Sequence, residues 1–242
     1  MTLFAIAVAI GAIAFLYSSV GHAGASGYIA VMTLFAFSPA DIKPTALLLN
    51  ILVASIGTVQ FWRAGYFSWR LFWPFVTLSV PLAFVGGYLH LPSAVFKTVL
   101  GIVLLLSAVR LIWRQAEPTN VSQPPISAAL GVGAGIGLLS GLTGTGGGIF
   151  LTPLLLFGGW ATTKRAAAVS APFLLMNSIS GLTGYLSSGS PLPSFAIPLA
   201  LVAVICGTLG SYLGARRFPV PVVQRSLAAV LLIAGSKLVL AW

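Results

Sequence analysis

Two glycine-rich stretches decide the fold, Gly21-His22-Ala23-Gly24-Ala25-Ser26-Gly27 and Gly141-Leu142-Thr143-Gly144-Thr145-Gly146-Gly147-Gly148. Both have the spacing G-x-x-G-x-x-G, and they start 120 residues apart in a chain of 242. Each follows one apolar run and precedes another: 1–20 and 28–37 around the first stretch, 126–140 and 149–157 around the second. The chain therefore consists of one unit used twice.

The composition predicts a membrane protein. Hydrophobic residues make up 58% of the chain and charged residues 6%, against about 45–50% and about 25% in soluble domains. A crossing helix needs about 20 residues, so the chain has room for about eight to ten crossings and no separate soluble domain. Residues 2–20 lack the basic start of a signal peptide, and we expect them to be retained.

The apolar runs predict an all-α polytopic fold with five membrane segments in each half. The second segment of each half is only 13 or 14 residues long, so it either crosses as a Gly-broken element or re-enters. We divide the chain into an N-terminal repeat (1–114), a linker (115–125) and a C-terminal repeat (126–242). The predicted segments are 2–20, 26–38, 44–63, 70–89, 94–113, 127–142, 145–158, 164–186, 194–216 and 221–241.

The basic residues favour the crossing arrangement. If the short segments re-enter, the twelve Lys and Arg divide seven to five between the two faces, and this difference is too small to predict the orientation of the protein in the membrane. If they cross, the second half is inverted and nine basic residues, including every Arg, share one face. Such an excess marks cytoplasmic loops. The nine are Arg63, Arg70, Arg110, Arg114, Lys164, Arg165, Arg216, Arg217 and Arg225, with Lys43, Lys97 and Lys237 on the other face.

The glycine stretches predict an anion site. Irregular backbone at membrane depth survives only where it is buried in protein or lines a wet cavity. Two such breaks at matching positions of inverted repeats indicate a substrate site near the midplane. A helix that starts after each break presents free N–H groups and the positive end of its dipole, which attract an anion. The alternative is that these glycines only allow close helix packing.

Polar residues near the breaks complete the candidate site. His22 would donate to an anion or carry a coupled proton, but Leu142 takes its place in the second stretch, which suits a packing histidine equally. We expect Asp41 to be a helix cap or a member of an ion pair in a loop rather than a proton carrier. Gln60 and Ser178 either line a cavity or bond to neighbouring helices. The candidate substrate-binding residues are Gly21, His22, Gly24, Ser26, Gly27, Asn50, Thr143, Gly144, Thr145, Gly146, Gly147, Ser170 and Asn177.

The pattern of duplicated halves resembles the TauE/SafE family, the sulfite exporter family of membrane permeases. The resemblance rests on the second stretch leading to Thr152-Pro153-Leu154 and on Lys164 and Arg165 before a run of small residues. It covers nearly the whole chain. It implies transport of small sulfur-containing anions, such as sulfite, sulfoacetate or other sulfonates, across the bacterial cytoplasmic membrane.

We therefore expect a secondary transporter of small organosulfur or sulfur-oxyanion substrates that works by alternating access in the inner membrane. An uncoupled anion channel and a permease for a non-sulfur organic anion are the alternatives. The sequence has no HExxH or GxSxG motif, so we expect no enzyme, catalytic residue, metal or cofactor. The expected partners are the small anion and the lipid bilayer, not nucleic acid, and a homodimer stays open.

Overall fold

The computed structural model describes residues 2–19, 23–112, 121–217, 228–229, 231–233, 235–236 and 238–239. This part of the chain contains nine helices and no strand, and the described residues beyond 227 are also helical. The helices are α1 (Thr2–Ser19), α2 (Ala25–Leu34), α3 (Pro39–Arg63), α4 (Trp69–Tyr88), α5 (Ser93–Ile112), α6 (Ile126–Thr143), α7 (Gly148–Phe157), α8 (Thr163–Ser187) and α9 (Ala196–Arg217).

Four of these helices are long and apolar enough to cross a membrane: Pro39–Arg63, Trp69–Tyr88, Ile126–Thr143 and Lys164–Ser187. The other five helices contain apolar stretches of 10–17 described residues. The predicted all-α polytopic class is confirmed. The interruptions predicted at the two glycine stretches are also present, because α2 and α7, of ten residues each, begin within them, after the non-helical residues 23–24 and 144–147.

Helix α3 begins earlier than the predicted boundary at residue 44. Ser38 is its N-cap and accepts a hydrogen bond from the backbone N–H of Asp41, and Pro39 occupies the first turn. Such residues favour a helix start. Asp41 therefore belongs to the cap, as expected. Lys43, which falls just outside the predicted segment 44–63, lies inside α3 and is 5% exposed.

The two halves pack reciprocally. The first helix of each half packs against the fourth helix of the other half, α1 against α9 and α6 against α4. The third helices, α3 and α8, pack against each other. They run antiparallel, because the Tyr185 hydroxyl bonds to the Ala40 carbonyl at one end while Gly57 faces Ala171 towards the other.

Helices α4 and α6 pack with their backbones in contact. A Cβ atom added at Gly133, Gly137 or Gly141 would collide with the backbone of α4. Small residues at such positions let helices approach closely. The close-packing alternative therefore applies to these glycines, including Gly141 of the second glycine stretch.

Candidate functional site

The two glycine stretches adopt the same backbone conformation at matching positions. Gly24 has φ 86° and ψ 6°, and Gly144 has φ 83° and ψ 11°. Both lie in the left-handed region, which glycine enters without the steric cost of a Cβ atom. Helix α2 begins directly after Gly24, whereas α7 begins after a further turn that contains Gly146 and Gly147.

A cavity of about 330 Å³ lies between the N-termini of the two short helices. Its wall includes Gly24, Ala25 and Ser26 from the first half and Gly148, Ile149 and Thr152 from the second. The rest of the wall consists of Ala23 before α2, Ala64 after α3, and residues of α1, α3, α8 and α9: Tyr17, Ser18, Val53, Ala54, Ile56, Gly57, Gln60, Phe61, Ala167, Ser170, Ala171, Leu174 and Gly207.

The polar groups on this wall are hydroxyls, one amide and backbone. The Tyr17 and Ser26 hydroxyls are 2.8 Å apart, and the Thr152 hydroxyl donates to Ser170 Oγ at 2.9 Å. No Lys, Arg, Asp, Glu or His is among the described wall residues. The N-terminal ends of α2 and α7 border this wall, and helix dipoles favour negative charge at such ends.

A cluster of buried polar side chains lies behind the α7 N-terminus, at the loop 144–147. The Asn50 amide donates to the Gly144 carbonyl at 3.3 Å. A Cβ atom added at Gly146 would lie 2.7 Å from Ser178 Oγ, and one at Gly147 would lie 3.5 Å from Asn177 Nδ2. All three side chains are fully buried. We call Asn50, Asn177 and Ser178 the loop cluster.

The loop cluster has hydrogen-bonding capacity that the described residues do not use. Asn177 Oδ1 accepts from Ser79, but no partner within the described chain reaches Asn177 Nδ2, Asn50 Oδ1 or Ser178 Oγ. A buried polar atom without a partner costs about 1–3 kcal/mol, so such atoms mark places where a ligand or ordered water fits. Leu174 lines the cavity and also lies beside Gly146, so the loop cluster is next to the cavity wall.

The predicted site residues fall into three places. Gly24, Ser26 and Ser170 line the cavity, while Gly27 packs against Ile13 and Tyr17 of α1. Gly21 and His22 lie outside the described residues. The remaining candidates lie in the loop 144–147 or next to it. All of these residues are buried: Asn50, Thr143, Gly144, Thr145, Gly146, Gly147 and Asn177.

The two threonines have local bonds. The Thr143 hydroxyl donates to the Leu139 carbonyl at 2.6 Å and lies 3.1 Å from Thr145 Oγ1. These bonds stay within the end of α6 and the loop that follows it. Neither threonine reaches the cavity wall.

Sequence reasoning missed several wall residues. Tyr17 and Thr152 carried a usable signal, because each is a polar residue inside an apolar run close to a glycine stretch. The sequence has no comparable signal for Ala54, Gly57 and Ala171, which are small residues within apolar runs. They line the cavity because small side chains leave space where α3 and α8 cross.

The described residues form membrane-length helices, two short helices after glycine-rich breaks and an internal cavity, which together define a polytopic membrane protein. Residues 4–238 match the family model described as "Sulfite exporter TauE/SafE". The chain belongs to this family of membrane transporters.

Named relatives extend over the same length. The "Probable membrane transporter protein y4hK" of Sinorhizobium fredii is 44% identical over 239 residues, which cover 96% of each chain. The "Probable membrane transporter protein YjnA" of Bacillus subtilis is 26% identical, over 90% of this chain and 92% of the relative. A "Probable membrane transporter protein" of Haemophilus influenzae is 28% identical, over 96% of each.

Proposed function

We propose that this protein is a secondary carrier that moves small sulfur-containing anions, such as sulfite or sulfonates, across the bacterial cytoplasmic membrane by alternating access. One observation carries the proposal: the cavity is bounded by the N-termini of two interrupted helices, one from each half. Two helix N-termini supply N–H donors and positive potential without a cation, an arrangement suited to an anion that must also be released.

Alternating access requires two halves that exchange roles, and we propose that residues 1–114 and 126–242 are inverted-topology repeats joined by the linker 115–125. The antiparallel packing of α3 against α8 supports inversion. If α2 and α7 re-entered, each half would have four crossings, and equivalent helices would run parallel. The reciprocal pairs α1 with α9 and α4 with α6 agree with the same relation.

The positions of the basic residues support an orientation of the protein in the membrane, with the C-terminal end of α3 on the cytoplasmic side. Arg63 ends α3 and Arg165 lies in the first turn of α8, at the same end because these helices are antiparallel. Arg70 lies in the first turn of α4, after the loop 64–68 that follows α3. Lys164 Nζ lies 5.2 Å from the ring centroid of Tyr66 in that loop. Clustered cations at helix ends mark the cytoplasmic side. The cavity wall extends to Gln60 and Ala64 at this end, so the cavity faces the cytoplasm.

The proposal of a sulfur-containing substrate rests on the description of the family and on the size of the cavity. A volume of about 330 Å³ is at the low end of small-molecule pockets. The wall combines apolar side chains with hydroxyl and backbone donors, which suits a compact anionic headgroup on a short tail. A permease for a small carboxylate and an uncoupled anion channel are the competing functions, and a homodimer is compatible with each.

Two measurements on purified protein test the proposal. Thermal unfolding in detergent with sulfite, sulfoacetate, taurine, carboxylates and phosphate identifies the ligand, since a ligand at a hundredfold excess over its Kd stabilises by about 2.7 kcal/mol. Counterflow in proteoliposomes then separates the mechanisms. We expect stabilisation by sulfur oxyanions or sulfonates and accelerated exchange under counterflow. Stabilisation only by carboxylates would mean that the substrate is a carboxylate and not a sulfur-containing anion. Conductance without exchange would establish a channel.

A further inference from the structure

Lys43 is a buried cation that holds the end of another helix. Its Nζ donates to the carbonyls of Gly86, Gly87 and Leu89 at 2.9, 2.7 and 3.1 Å. The last carbonyls of a helix have no partner inside it, and a cation there also offsets the negative end of the dipole. Lys43 therefore caps α4 from α3.

Three further contacts converge on the same place. Lys43 Nζ lies 5.6 Å from the ring centroid of Tyr185 on α8. The Tyr185 hydroxyl donates to the Ala40 carbonyl at 3.0 Å, which has no intrahelical donor because Pro44 lacks an N–H. A Cβ atom added at Gly144 would lie 2.9 Å from the Lys43 carbonyl oxygen. Lys43 thus joins α3, α4, α8 and the loop that starts at Gly144.

This junction lies beyond the cavity wall, at the N-terminal end of α3. The α3 residues on the cavity wall run from Val53 to Phe61, towards the C-terminal end of the helix. Between Ile42 and Asn50 nearly every α3 residue is buried and none lines the cavity. On the same side, His90 Nε2 lies 2.8 Å from Ser190 Oγ, which ties the α4–α5 connection to the α8–α9 connection.

From these contacts we infer that Lys43 is a positioning residue of the transport cycle, a latch that keeps the outer side of the substrate cavity closed. The inference rests on the proposed carrier function. Opening the outer side requires α3 to separate from α8 and from the end of α4, and this movement breaks the three Nζ bonds and the Tyr185 bond. Because Lys43 also packs against Gly144, its displacement moves the loop that carries half of the anion site.

The latch is present in one half only. Helices α3 and α8 have 25 residues each, and aligning their first residues places Ala167 at the position of Lys43. Ala167 lines the cavity on the cytoplasmic side. At the inward-facing end, the lysine near the start of α8, Lys164, is exposed and contacts Tyr66 instead of buried helix-end carbonyls. This asymmetry makes the inward-open state the resting state, in agreement with the cavity described here.

The test measures the side from which a cysteine in the cavity is reached. The reporter is Ala171→Cys, on the cavity wall, in a Cys206→Ala background, labelled with a membrane-impermeant thiol reagent in right-side-out and inside-out vesicles. Without further change, we expect labelling almost entirely from the cytoplasmic side. A minor state is typically populated at about 0.1–10%, so adding Lys43→Met is expected to raise labelling from outside by about tenfold.

Lys97→Met is the matched control, because Lys97 is an exposed lysine on the same predicted outer face and has no latch contact. It should leave both labelling rates unchanged. If Lys43→Met fails to fold, Tyr185→Phe decides, since it removes the bond to Ala40 and keeps the ring. We expect Tyr185→Phe to raise labelling from outside as well, but by less than Lys43→Met. Unchanged sidedness in a folded Lys43→Met protein, or in Tyr185→Phe where Lys43→Met does not fold, would overturn the latch.

The same vesicles separate failure of the latch from failure of the carrier. Equal labelling of the reporter from both sides before any change at Lys43 contradicts alternating access itself. One-sided labelling that does not respond to the latch variants leaves the carrier standing and removes only the role of Lys43.

Discussion

At the scale of single residues, Gly24 and Gly65 share a left-handed backbone, with φ of 86° and 74°, but only Gly24 borders the cavity. Alanine at either position costs about 1–2 kcal/mol of conformational energy. We expect Gly24→Ala to weaken anion binding by at least about tenfold, or about 1.4 kcal/mol, because the new Cβ atom lies 2.9 Å from the Tyr28 hydroxyl and displaces the start of α2.

Gly65→Ala provides the control, since no atom lies within 4 Å of its Cβ position. It should lose stability similarly and keep its affinity. Titration of the thermal shift with the best ligand measures both quantities in one experiment. Equal affinity in the two variants would mean that the α2 N-terminus does not bind the anion.

Ser178 offers a prediction in which stability and binding move in opposite directions. Its hydroxyl is buried and has no partner in the described chain. Removing an unsatisfied hydroxyl relieves a penalty of about 1–3 kcal/mol. We expect Ser178→Ala to raise the unfolding temperature of the ligand-free protein and to weaken anion binding.

The control for Ser178 is Ser107→Ala on α5, because the Ser107 hydroxyl is buried but bonds to the Val103 carbonyl. It should not raise stability and should not change affinity. Higher stability with unaltered binding in Ser178→Ala would leave the loop cluster a structural feature only.

At the scale of helices, the glycines of α6 divide into two sets. Gly133 and Gly137 meet the backbone of α4, whereas nothing lies within 4 Å of the Cβ positions of Gly131 and Gly135. Overpacking at a tight contact costs about 1–3 kcal/mol. Alanine is favoured over glycine in a helix by about 1 kcal/mol.

We therefore predict opposite effects for two neighbouring substitutions. Gly137→Ala should lower the unfolding temperature in detergent, because α4 and α6 must move apart. Gly135→Ala should leave it unchanged or raise it. Similar effects of both substitutions would contradict the close contact between these helices.

At the scale of the whole molecule, the inverted arrangement predicts the sides of two loops. Ala64 follows α3 and Ser194 follows α8, and both are exposed. In a Cys206→Ala background, Ala64→Cys should react with an impermeant reagent only in inside-out vesicles. Ser194→Cys should react only in right-side-out vesicles. Re-entrant short segments would instead place both cysteines on one side.

The sequence predicted most of the helices and both interruptions, because glycine spacing and apolar length are local properties. Helix α3 was bounded wrongly because Lys43 looked like the end of a segment. Its three acceptors lie more than forty residues away on α4, and no local pattern reveals such a contact. The same reason hides Ala54 and Ala171: a small residue lines a cavity only where helices from both halves cross.

The proline in α3 has a consequence for the assembly of the protein. Pro44 leaves the Ala40 carbonyl without a helical donor, and the donor it receives, the Tyr185 hydroxyl, is 145 residues later in the chain. A ribosome that has completed only the first half has therefore made an α3 with an unpaired backbone oxygen. The first half therefore reaches its final hydrogen bonding only when α8 arrives, and we expect the two halves to complete their packing together rather than one after the other.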